Sequence, residues 1–374
     1  MVAAIALVAI RPVSSGSAAL RALAPRTACN AAVHLSSWSL NRLSAQVVAI
    51  PVEADRAGAL SLEVRTGYGG ILLFGATAPA ALGPTLRRLQ AMTPQGLGIS
   101  IMTDEEGGGV LRLDNLVASF PWARTMARTM TPSQITAIAK RVGTQLRAAG
   151  VTMDLAPVLD IDGRNVDPSA SDPDGYRSFG GSVPVVSTDG EAFAAGLLAA
   201  GVTPVVKHFP GLGGSTGNTD NGTAATLPWS VLKASALHTF EGAINKGIRA
   251  IMVSNARVPG LTSLPASLSA AVMTGVLRKW LHFRGLVVTD TLTAGAISAV
   301  PLSAPAAAVD AITAGADLVL LGEQRTTSAD VDLALSVSHA IVLGVTQGRL
   351  TRATLVGAVA HDLAARGIEV CPGS

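Results

Sequence analysis

The sequence predicts an α/β fold, a (β/α)8 barrel of the TIM type that forms a single domain. Short apolar runs alternate with longer segments of helical length about eight times, over roughly 330 residues, which suits such a barrel. The runs are apolar throughout rather than at every second position, as is typical of parallel strands buried on both faces. A doubly wound open sheet is the alternative, because it shows the same alternation.

The elements follow one another in a regular order after residue 40. The predicted strands are the short apolar runs Val47–Ile50, Gly70–Phe74, Gly98–Met102, Thr152–Leu155, Thr203–Val206, Ala250–Val253, Gly285–Thr289 and Asp317–Leu321. The predicted helices are longer segments between and after them, such as Ala54–Thr66, Ala80–Met92, Pro132–Ala149, Trp229–Lys246, Ser267–Trp280, Asp330–Thr346 and Thr351–Ala365. No linker rich in Pro, Ser or charge divides the chain, so residues 41–374 are predicted to form one barrel domain.

Residues 1–40 are predicted to be a leader or a poorly ordered arm. Residues 1–10 are apolar but too few to cross a bilayer, and Arg11 ends the run. They suit the apolar region of a signal peptide, with the small residues Ser15 to Ala19 as a cleavage zone. The sequence therefore predicts a secreted or cell-envelope-associated protein. The alternatives are a frayed N-terminus or a misassigned start codon, and a cytoplasmic location.

Composition argues against a nucleic-acid partner. The net charge is +3, only 14% of residues are charged, and no basic run is present. Hydrophobic residues make up 49% of the 374 residues, enough for a large core, and a monomer is the expected state. The two cysteines, Cys29 and Cys371, either form one disulfide that joins the chain ends or remain separate thiols.

Polar side chains follow several of the predicted strands. A cation and an imidazole, Lys207 and His208, come directly after the apolar run 202–206, and a Gly/Ser/Thr/Asn loop then leads to Asp220. The other polar residues that follow strands are Asp104, Glu105, Glu106, Asp160, Asp162, Arg177 and Asp290. Because catalytic groups of (β/α)8 barrels lie at the carboxyl ends of the strands, these residues are expected on one rim.

Several of these segments resemble glycoside hydrolase family 3, in particular its single-domain bacterial β-N-acetylhexosaminidase branch. The signature KHFPGHG followed by DSH corresponds to Lys207–Gly213 and Asn218-Thr219-Asp220. The family's D-x-E-G-G-x-V-x-R is similar to 104–112, its R-S-F to 177–179, and its V-x-S-D-D-L to 287–292. The likeness covers roughly 44–321. It implies a retaining β-glycosidase that cleaves terminal β-linked N-acetylglucosamine from cell-wall fragments, with a small carbohydrate as its only partner.

The resemblance also implies roles for individual residues. Asp290 takes the place of the nucleophile, which attacks the anomeric carbon in retaining glycosidases. The implied substrate-binding residues are Asp104, Arg112, Arg177, Lys207 and His208. Taken alone, a strand-end aspartate is more often a helix N-cap, and Arg177 suits an ion pair with Asp160 or Asp162 that locks a loop. No calcium-loop pattern follows the carboxylates at 104–106, so no metal is predicted. No cofactor is predicted either, because glycoside hydrolysis by two carboxylates needs none.

The family's catalytic histidine is missing from this chain. Alignment from Lys207 to Gly217 puts Asp220 at the histidine position and Asn218 at the position of its supporting aspartate. One interpretation is that Asp220 serves as acid/base, since an amide at 218 adds no second charge. An ordinary aspartic acid has a pKa of about 3.9, so this role requires desolvation when the loop closes. The alternatives are an inactive glycan-binding barrel and a β-glucosidase of the same fold.

Overall fold

The computed structural model describes residues 33–322 and 326–370. Cys29, Cys371 and residues 1–32 of the predicted leader lie outside the described residues, so the disulfide and the leader stay predictions. Val33 and Leu35 are 1% exposed, and Arg352 donates a hydrogen bond to the backbone oxygen of Trp38 at 2.5 Å. The described end of the chain therefore packs against the barrel, immediately before the first helix.

The strands and helices alternate along the described chain. The strands are β1 Val48–Glu53, β2 Gly70–Phe74, β3 Ser100–Thr103, β4 Glu105–Gly107, β5 Val110–Leu111, β6 Met153–Asp154, β7 Thr203–Phe209, β8 Ala250–Val253, β9 Arg257–Val258, β10 Thr262–Pro265, β11 Leu286–Thr289 and β12 Val319–Leu320. The α-helices are α1 Leu40–Gln46, α2 Ser61–Thr66, α3 Leu82–Ala91, α4 Ala123–Thr129, α5 Pro132–Ala149, α6 Val183–Ala199, α7 Trp229–Ala234, α8 Leu237–Asn245, α9 Gly295–Ser298, α10 Ala304–Ala314, α11 Thr327–Thr346 and α12 Arg352–Ala365. Short 3-10 segments occupy Leu35–Ser37, Ala54–Leu60, Pro94–Gly96, Gly175–Arg177 and Ala266–Leu268, and Ala271–Trp280 is π-helical.

Eight of the strands described form one parallel sheet that closes on itself. Their order is β12-β1-β2-β3-β6-β7-β8-β11. The two end strands meet through a parallel bridge between Val288 and Leu318, and the amide of Thr289 donates to the Leu318 carbonyl. The sheet is therefore a barrel with helices around it, and the predicted (β/α)8 fold is confirmed.

The continuous apolarity of the strands reflects two separate packing layers. In β1, Ala49 points into the barrel, where it joins Leu72, Met102 and other interior side chains. Its neighbours Val48 and Ile50 belong to the layer between the strands and the helices. Because each strand is buried on both faces, no position along it has to be polar.

Several boundaries agree with the sequence-based prediction because local chemistry fixes them. Helix α5 begins after Thr131, whose side chain forms a reciprocal capping box with Gln134, and Pro132 occupies the first turn. It ends at Gly150, whose φ of 98° suits glycine. The observed β2 and β8 have the predicted limits.

Other elements differ from the prediction. The predicted helix 229–246 is divided into α7 and α8, because the backbone at Ser235 is not helical (φ −141°, ψ −94°). The predicted helix 267–280 is a 3-10 turn followed by a π-helical segment. The hairpins β4/β5 and β9/β10 were not predicted, since their strands have two to four residues and follow barrel strands directly.

Helix α11 is long and apolar enough to cross a membrane by length and composition alone. In the barrel it packs against α10, α1 and β1. Ala334, Val337 and Ile341 are fully buried on its inner face. The packing accounts for its apolarity as that of an outer helix of the barrel.

Candidate active site

The predicted site residues lie at the carboxyl ends of neighbouring barrel strands. Asp104 follows β3, Lys207 and His208 end β7, and Asp290 follows β11. Arg177 lies farther along the chain, in a 3-10 turn between β6 and α6. Barrel closure thus brings residues from four separate segments to one rim.

Lys207 is the centre of a buried ion-pair network. Its ammonium lies 2.5 Å from Asp104 Oδ1 and 2.6 Å from Glu106 Oε1. The guanidinium of Arg177 grips the same Glu106 with two hydrogen bonds, of 2.7 Å from Nε and 2.8 Å from Nη2. The alternative interpretation of Arg177 was an ion pair with Asp160 or Asp162 that locks a loop. In the structure Arg177 pairs with Glu106 instead. Three of the predicted binding residues, Asp104, Arg177 and Lys207, therefore belong to one ion-pair network.

The opposite charges in this network stabilise one another's ionised forms. Burial disfavours ionisation of Glu106, yet Arg177 and Lys207 hold the pKa of its carboxyl far below the usual range. Burial likewise opposes the charge on Lys207, but Asp104 and Glu106 raise its pKa. A fixed ammonium and guanidinium at the rim suit the binding of sugar hydroxyl oxygens.

His208 is held by Asp160, which follows β6. The Nδ1 atom of His208 lies 2.6 Å from Asp160 Oδ2, and its backbone amide donates to the same oxygen at 3.1 Å. The other carboxylate oxygen accepts the amide of Leu212 at 2.6 Å. Burial, with Arg177 and Lys207 nearby, lowers the pKa of His208 to about 4. The imidazole is therefore neutral at neutral pH and fixed in orientation.

Asp290 is rigidly placed at the end of β11. Its amide donates to the Val253 carbonyl at 2.9 Å, and its Oδ1 accepts the amide of Thr291 at 2.7 Å. Next to it, Asn255 donates to the Thr291 carbonyl at 2.8 Å. Burial raises the pKa of Asp290, His208 lowers it, and the charge of Asp220 raises it further. The Asp290 carboxyl group thus lies within electrostatic reach of both His208 and Asp220.

The loop 211–222, here called the flap, carries Asp220 and packs closely at its root. A Cβ on Gly211 would lie 2.5 Å from the Ala236 Cβ, and one on Gly213 would lie 2.0 Å from the Ile161 carbonyl oxygen. The glycines of this loop suggest mobility, as in a flap that folds over a sugar. In the structure both are positions where neighbouring segments leave no room for a side chain.

The tip of the flap rests on the segment that follows Asp290. The carbonyls of Thr219 and Asp220 accept the amides of Ala296 and Gly295, both at 2.9 Å. The Asp220 side chain is exposed, and Asn218 Oδ1 accepts the Asp220 amide at 2.9 Å. Asn218 therefore shapes the turn that carries Asp220, and Asp220 lies close enough to Asp290 for their charges to interact.

Arg112 lies apart from the other predicted residues. Its guanidinium carbon is 5.7 Å from the centre of the Phe74 ring, and its Nε is buried without a hydrogen-bond partner. Its backbone amide donates to Glu105 Oε1 at 3.0 Å. The structure thus places Arg112 directly after β5, with its guanidinium over Phe74 rather than in the ion-pair network.

Three residues of the site were not predicted to have a role there. Glu106 joins Lys207 to Arg177, and the signal for it was present, since it is the glutamate of the D-x-E-G-G-like segment. Arg124, in α4, holds the loop between β6 and α6 through the carbonyls of Ser178 and Arg164. Nothing in the local sequence distinguishes Arg124, whose partners lie 54 and 40 residues away, or Asp174, which lies beside Asp160 and His208.

Two cavities in the described part of the chain lie at the other end of the barrel. One, of about 510 Å³, is lined by residues that include Gly98, Thr152 and Thr203, at the amino ends of strands. The other, of about 360 Å³, includes Arg249 and Gly285. Neither contains a predicted site residue, so the chemistry is expected at the rim formed by the carboxyl ends.

Comparison with known proteins agrees with this geometry. Residues 45–364 match the family model described as the glycosyl hydrolase family 3 N terminal domain. The β-hexosaminidase LpqI of Mycobacterium tuberculosis is 35% identical over 295 residues, which cover 77% of this chain and 74% of that protein.

Solved structures show the same likeness. A glycosyl hydrolase of the GH3 family from Mycobacterium smegmatis superposes with a TM-score of 0.80 at 34% identity, over 89% of this chain and 98% of that one. A β-N-acetylhexosaminidase from Beutenbergia cavernae superposes with a TM-score of 0.77 at 29% identity, over 88% of this chain and 99% of that one.

Proposed function

The chain belongs to glycosyl hydrolase family 3 and is a glycoside hydrolase, and from this we propose that it is a retaining β-glycosidase. In this proposal Asp290 is the nucleophile and Asp220 the acid/base. One observation carries it: Asp290 is fixed at a strand end, and the flap that carries Asp220 is hydrogen-bonded to the segment that follows Asp290. A retaining mechanism needs such a pair on either side of a glycosidic bond.

Binding precedes the chemistry. The terminal sugar lies against the ion-pair network, where Lys207 and Arg177 donate to hydroxyl oxygens and Asp104 accepts from hydroxyl groups. Neutral His208, oriented by Asp160, contributes a further directional contact. Because these groups are buried and mutually fixed, they hold the sugar with its anomeric carbon above Asp290.

The first step forms a covalent intermediate. A carboxylate oxygen of Asp290 attacks the anomeric carbon while Asp220, in its acid form, gives its proton to the glycosidic oxygen. The bond from the anomeric carbon to that oxygen breaks, and the alcohol leaves. The products are a glycosyl ester on Asp290 and an ionised Asp220.

The second step releases the sugar. Asp220, now a base, removes a proton from water as the water oxygen attacks the anomeric carbon. The ester bond to Asp290 breaks, so both carboxyl groups return to their starting states. The sugar leaves with its original β configuration, because the carbon has been inverted twice. An ionised Asp220 repels phosphate as an acceptor, which favours hydrolysis over phosphorolysis.

Replacement of Asp220 by alanine tests the acid/base assignment. We expect a large loss of hydrolysis on alkyl or sugar leaving groups and a smaller loss on nitrophenyl sugars, whose leaving group needs no proton. Azide should partly restore turnover on the nitrophenyl sugar and give a β-glycosyl azide, detectable by mass spectrometry and NMR. Equal losses on both substrates without azide rescue would contradict the assignment.

We further propose that the sugar is terminal β-linked N-acetylglucosamine, as in cell-wall fragments. The names of the relatives support this, since several are β-hexosaminidases. A panel of nitrophenyl N-acetyl-β-glucosaminide, β-glucoside and β-xyloside, with muropeptide-like fragments beside it, tests the proposal. The highest kcat/KM is expected on the N-acetylglucosaminide; a higher value on the glucoside would make the chain a β-glucosidase. Binding of sugars without any turnover would indicate a glycan-binding barrel.

A location outside the cytoplasm, or at the cell envelope, is part of the same proposal. It is supported by the apolar residues 1–10 and by a 31% identical relative from Arthroderma benhamiae that is named as a secreted glycosyl hydrolase. Cell fractionation with an antibody against the chain tests it. Recovery of the protein in the cytoplasmic fraction alone would contradict it.

A further inference from the structure

Three buried side chains lie together beside the ion-pair network. Asp160 follows β6, Asp174 precedes the 3-10 turn Gly175–Arg177, and His208 ends β7. Each offers an oxygen or nitrogen atom within 4.8 Å of those of the other two. Asp160 is 0% exposed, Asp174 1% and His208 6%, so the group is almost entirely buried.

Asp174 is the unusual member of the group. Neither of its carboxylate oxygens has a hydrogen-bond partner, although both are buried. Its side chain does not cap the turn that follows it. A buried polar group without a partner costs free energy, and a buried charge costs more, so such a group ordinarily meets a ligand, a proton or an ion.

The nearby cations do not meet this need. Lys207 is shared by Asp104 and Glu106, and the guanidinium of Arg177 is directed at Glu106 and the Pro173 carbonyl. Asp160 accepts hydrogen bonds from His208 and from the Leu212 amide, whereas Arg177 acts on Asp174 only through its charge, and the charge of Asp160 opposes it. Carboxyl groups therefore outnumber cations in this buried region.

We propose that Asp160, Asp174 and His208 bind one divalent first-row transition-metal ion, with Zn²⁺ as the best-suited probe. Two carboxylate oxygens and an imidazole nitrogen are a mixed oxygen and nitrogen donor set, which suits such ions, whereas Mg²⁺ prefers oxygen ligands and retained water. A tetrahedral ion bound at about 2.1 Å places its ligand atoms about 3.4 Å apart, so the Asp160 and His208 atoms, now 2.6 Å apart, must separate slightly, and an atom that lies as far as 4.8 Å away must move closer. The sequence-based prediction of no metal had weighed only the carboxylates at 104–106.

A bound ion also affects the sugar site, on the condition that the proposed function is correct. His208 is one of the implied sugar-binding residues, and an imidazole that ligates a metal offers its remaining ring nitrogen in an altered position. Zinc is therefore expected to inhibit hydrolysis by raising KM. Asp174→Asn, which leaves the implied sugar-binding residues in place, is expected to relieve that inhibition.

Equilibrium dialysis of the full chain after EDTA treatment, with bound Zn²⁺ counted by mass spectrometry, tests the site without measuring activity. We expect one ion per chain, and at least tenfold weaker binding in Asp174→Asn and His208→Gln. Asp189→Asn is the matched control, since Asp189 is a buried aspartate of α6 outside the group. Circular dichroism melts establish that each variant folds.

The outcomes separate the metal site from the proposed enzyme. Absence of stoichiometric zinc, or equal binding by wild type and Asp174→Asn, overturns the site. If neither protein binds zinc and a folded Asp174→Asn variant is more stable than the wild type, the Asp174 carboxyl group is neutralised by a proton and not by a metal. If dialysis detects the ion but no substrate is hydrolysed, the metal site stands and the proposed function fails.

Discussion

The two carboxyl groups of the candidate active site occupy contrasting surroundings. Asp290 belongs to the floor, by which we mean the rigid rim formed by the strand ends and the ion-pair network. Hydrogen bonds fix both the backbone and the side chain of Asp290. Asp220 belongs to the flap, is exposed, and is positioned by a turn and two backbone hydrogen bonds. The contrast suits a nucleophile that must not move and an acid/base that must admit a substrate first.

The largest loss of activity is expected for a substitution at Asp290, the fixed carboxyl group. Asp290→Asn keeps the shape of the side chain but removes the nucleophilic charge, so kcat/KM should fall on the order of 10⁴-fold or more. Stopped assays on nitrophenyl N-acetyl-β-glucosaminide measure this. Unchanged turnover would show that the nucleophile lies elsewhere.

Glu106→Gln tests whether the floor acts as one unit. The change leaves Lys207 and Arg177 buried with a neutral neighbour, so stability should fall by about 3–5 kcal/mol and kcat/KM by about 100-fold. Urea melts and kinetics on the same preparation measure both. Asp55→Asn, at an exposed ion pair, is the control and should change stability by less than about 0.5 kcal/mol. A Glu106→Gln protein with normal stability and activity would mean that the network is dispensable.

Gly295→Ala tests the flap without touching either carboxylate. A Cβ there would lie 2.6 Å from the backbone of Asn221 and of Gly222, so the flap tip must shift. We expect a loss of about 10-fold in kcat/KM on alkyl leaving groups and a smaller loss on nitrophenyl sugars, because only the acid/base is displaced. Gly357→Ala, on α12 with open space around it, is the matched control and should leave both rates unchanged. Equal losses on the two leaving groups would place the effect in the floor instead.

Glu105→Gln is expected to have the smallest effect, and on stability rather than activity. Burial raises the pKa of Glu105 to about 8 from an ordinary 4.5. Since the folded state holds this proton more tightly than the unfolded chain, its contribution is complete below pH 4.5 and is lost as the pH rises to 8. The variant should therefore gain a few degrees in Tm relative to wild type at pH 8.5, but not at pH 4. Exposed Glu369→Gln should show no such difference; a parallel shift at both pH values would contradict the titration.

The positions of the floor residues could be predicted from the sequence, but the ion pairs between them could not. Lys207, His208 and Asp290 follow apolar runs that become β7 and β11, so their common rim follows from the strand pattern and the family resemblance. Glu106 is 71 residues from Arg177, and Asp104 is 103 residues from Lys207. Those pairings arise only when the barrel closes, and no local pattern specifies them.

The flap shows where sequence reasoning was weakest. The alignment placed Asn218 and Asp220 together, but Asn218 bonds to the Asp220 backbone rather than serving the carboxyl group. The glycines suggested mobility, whereas Gly211 and Gly213 are explained by close packing against Ala236 and Ile161. Small residues look alike in a sequence whether they permit motion or permit contact.

Asp160 limits how far the flap can move. One carboxylate oxygen holds His208 of the floor and the other holds the amide of Leu212, the second residue of the flap. The first part of the loop is thereby anchored to the same side chain that orients the sugar contact. Any swing that admits a substrate must pivot beyond Gly213, so the moving arm is the short segment from 214 to 222 and its travel is correspondingly limited.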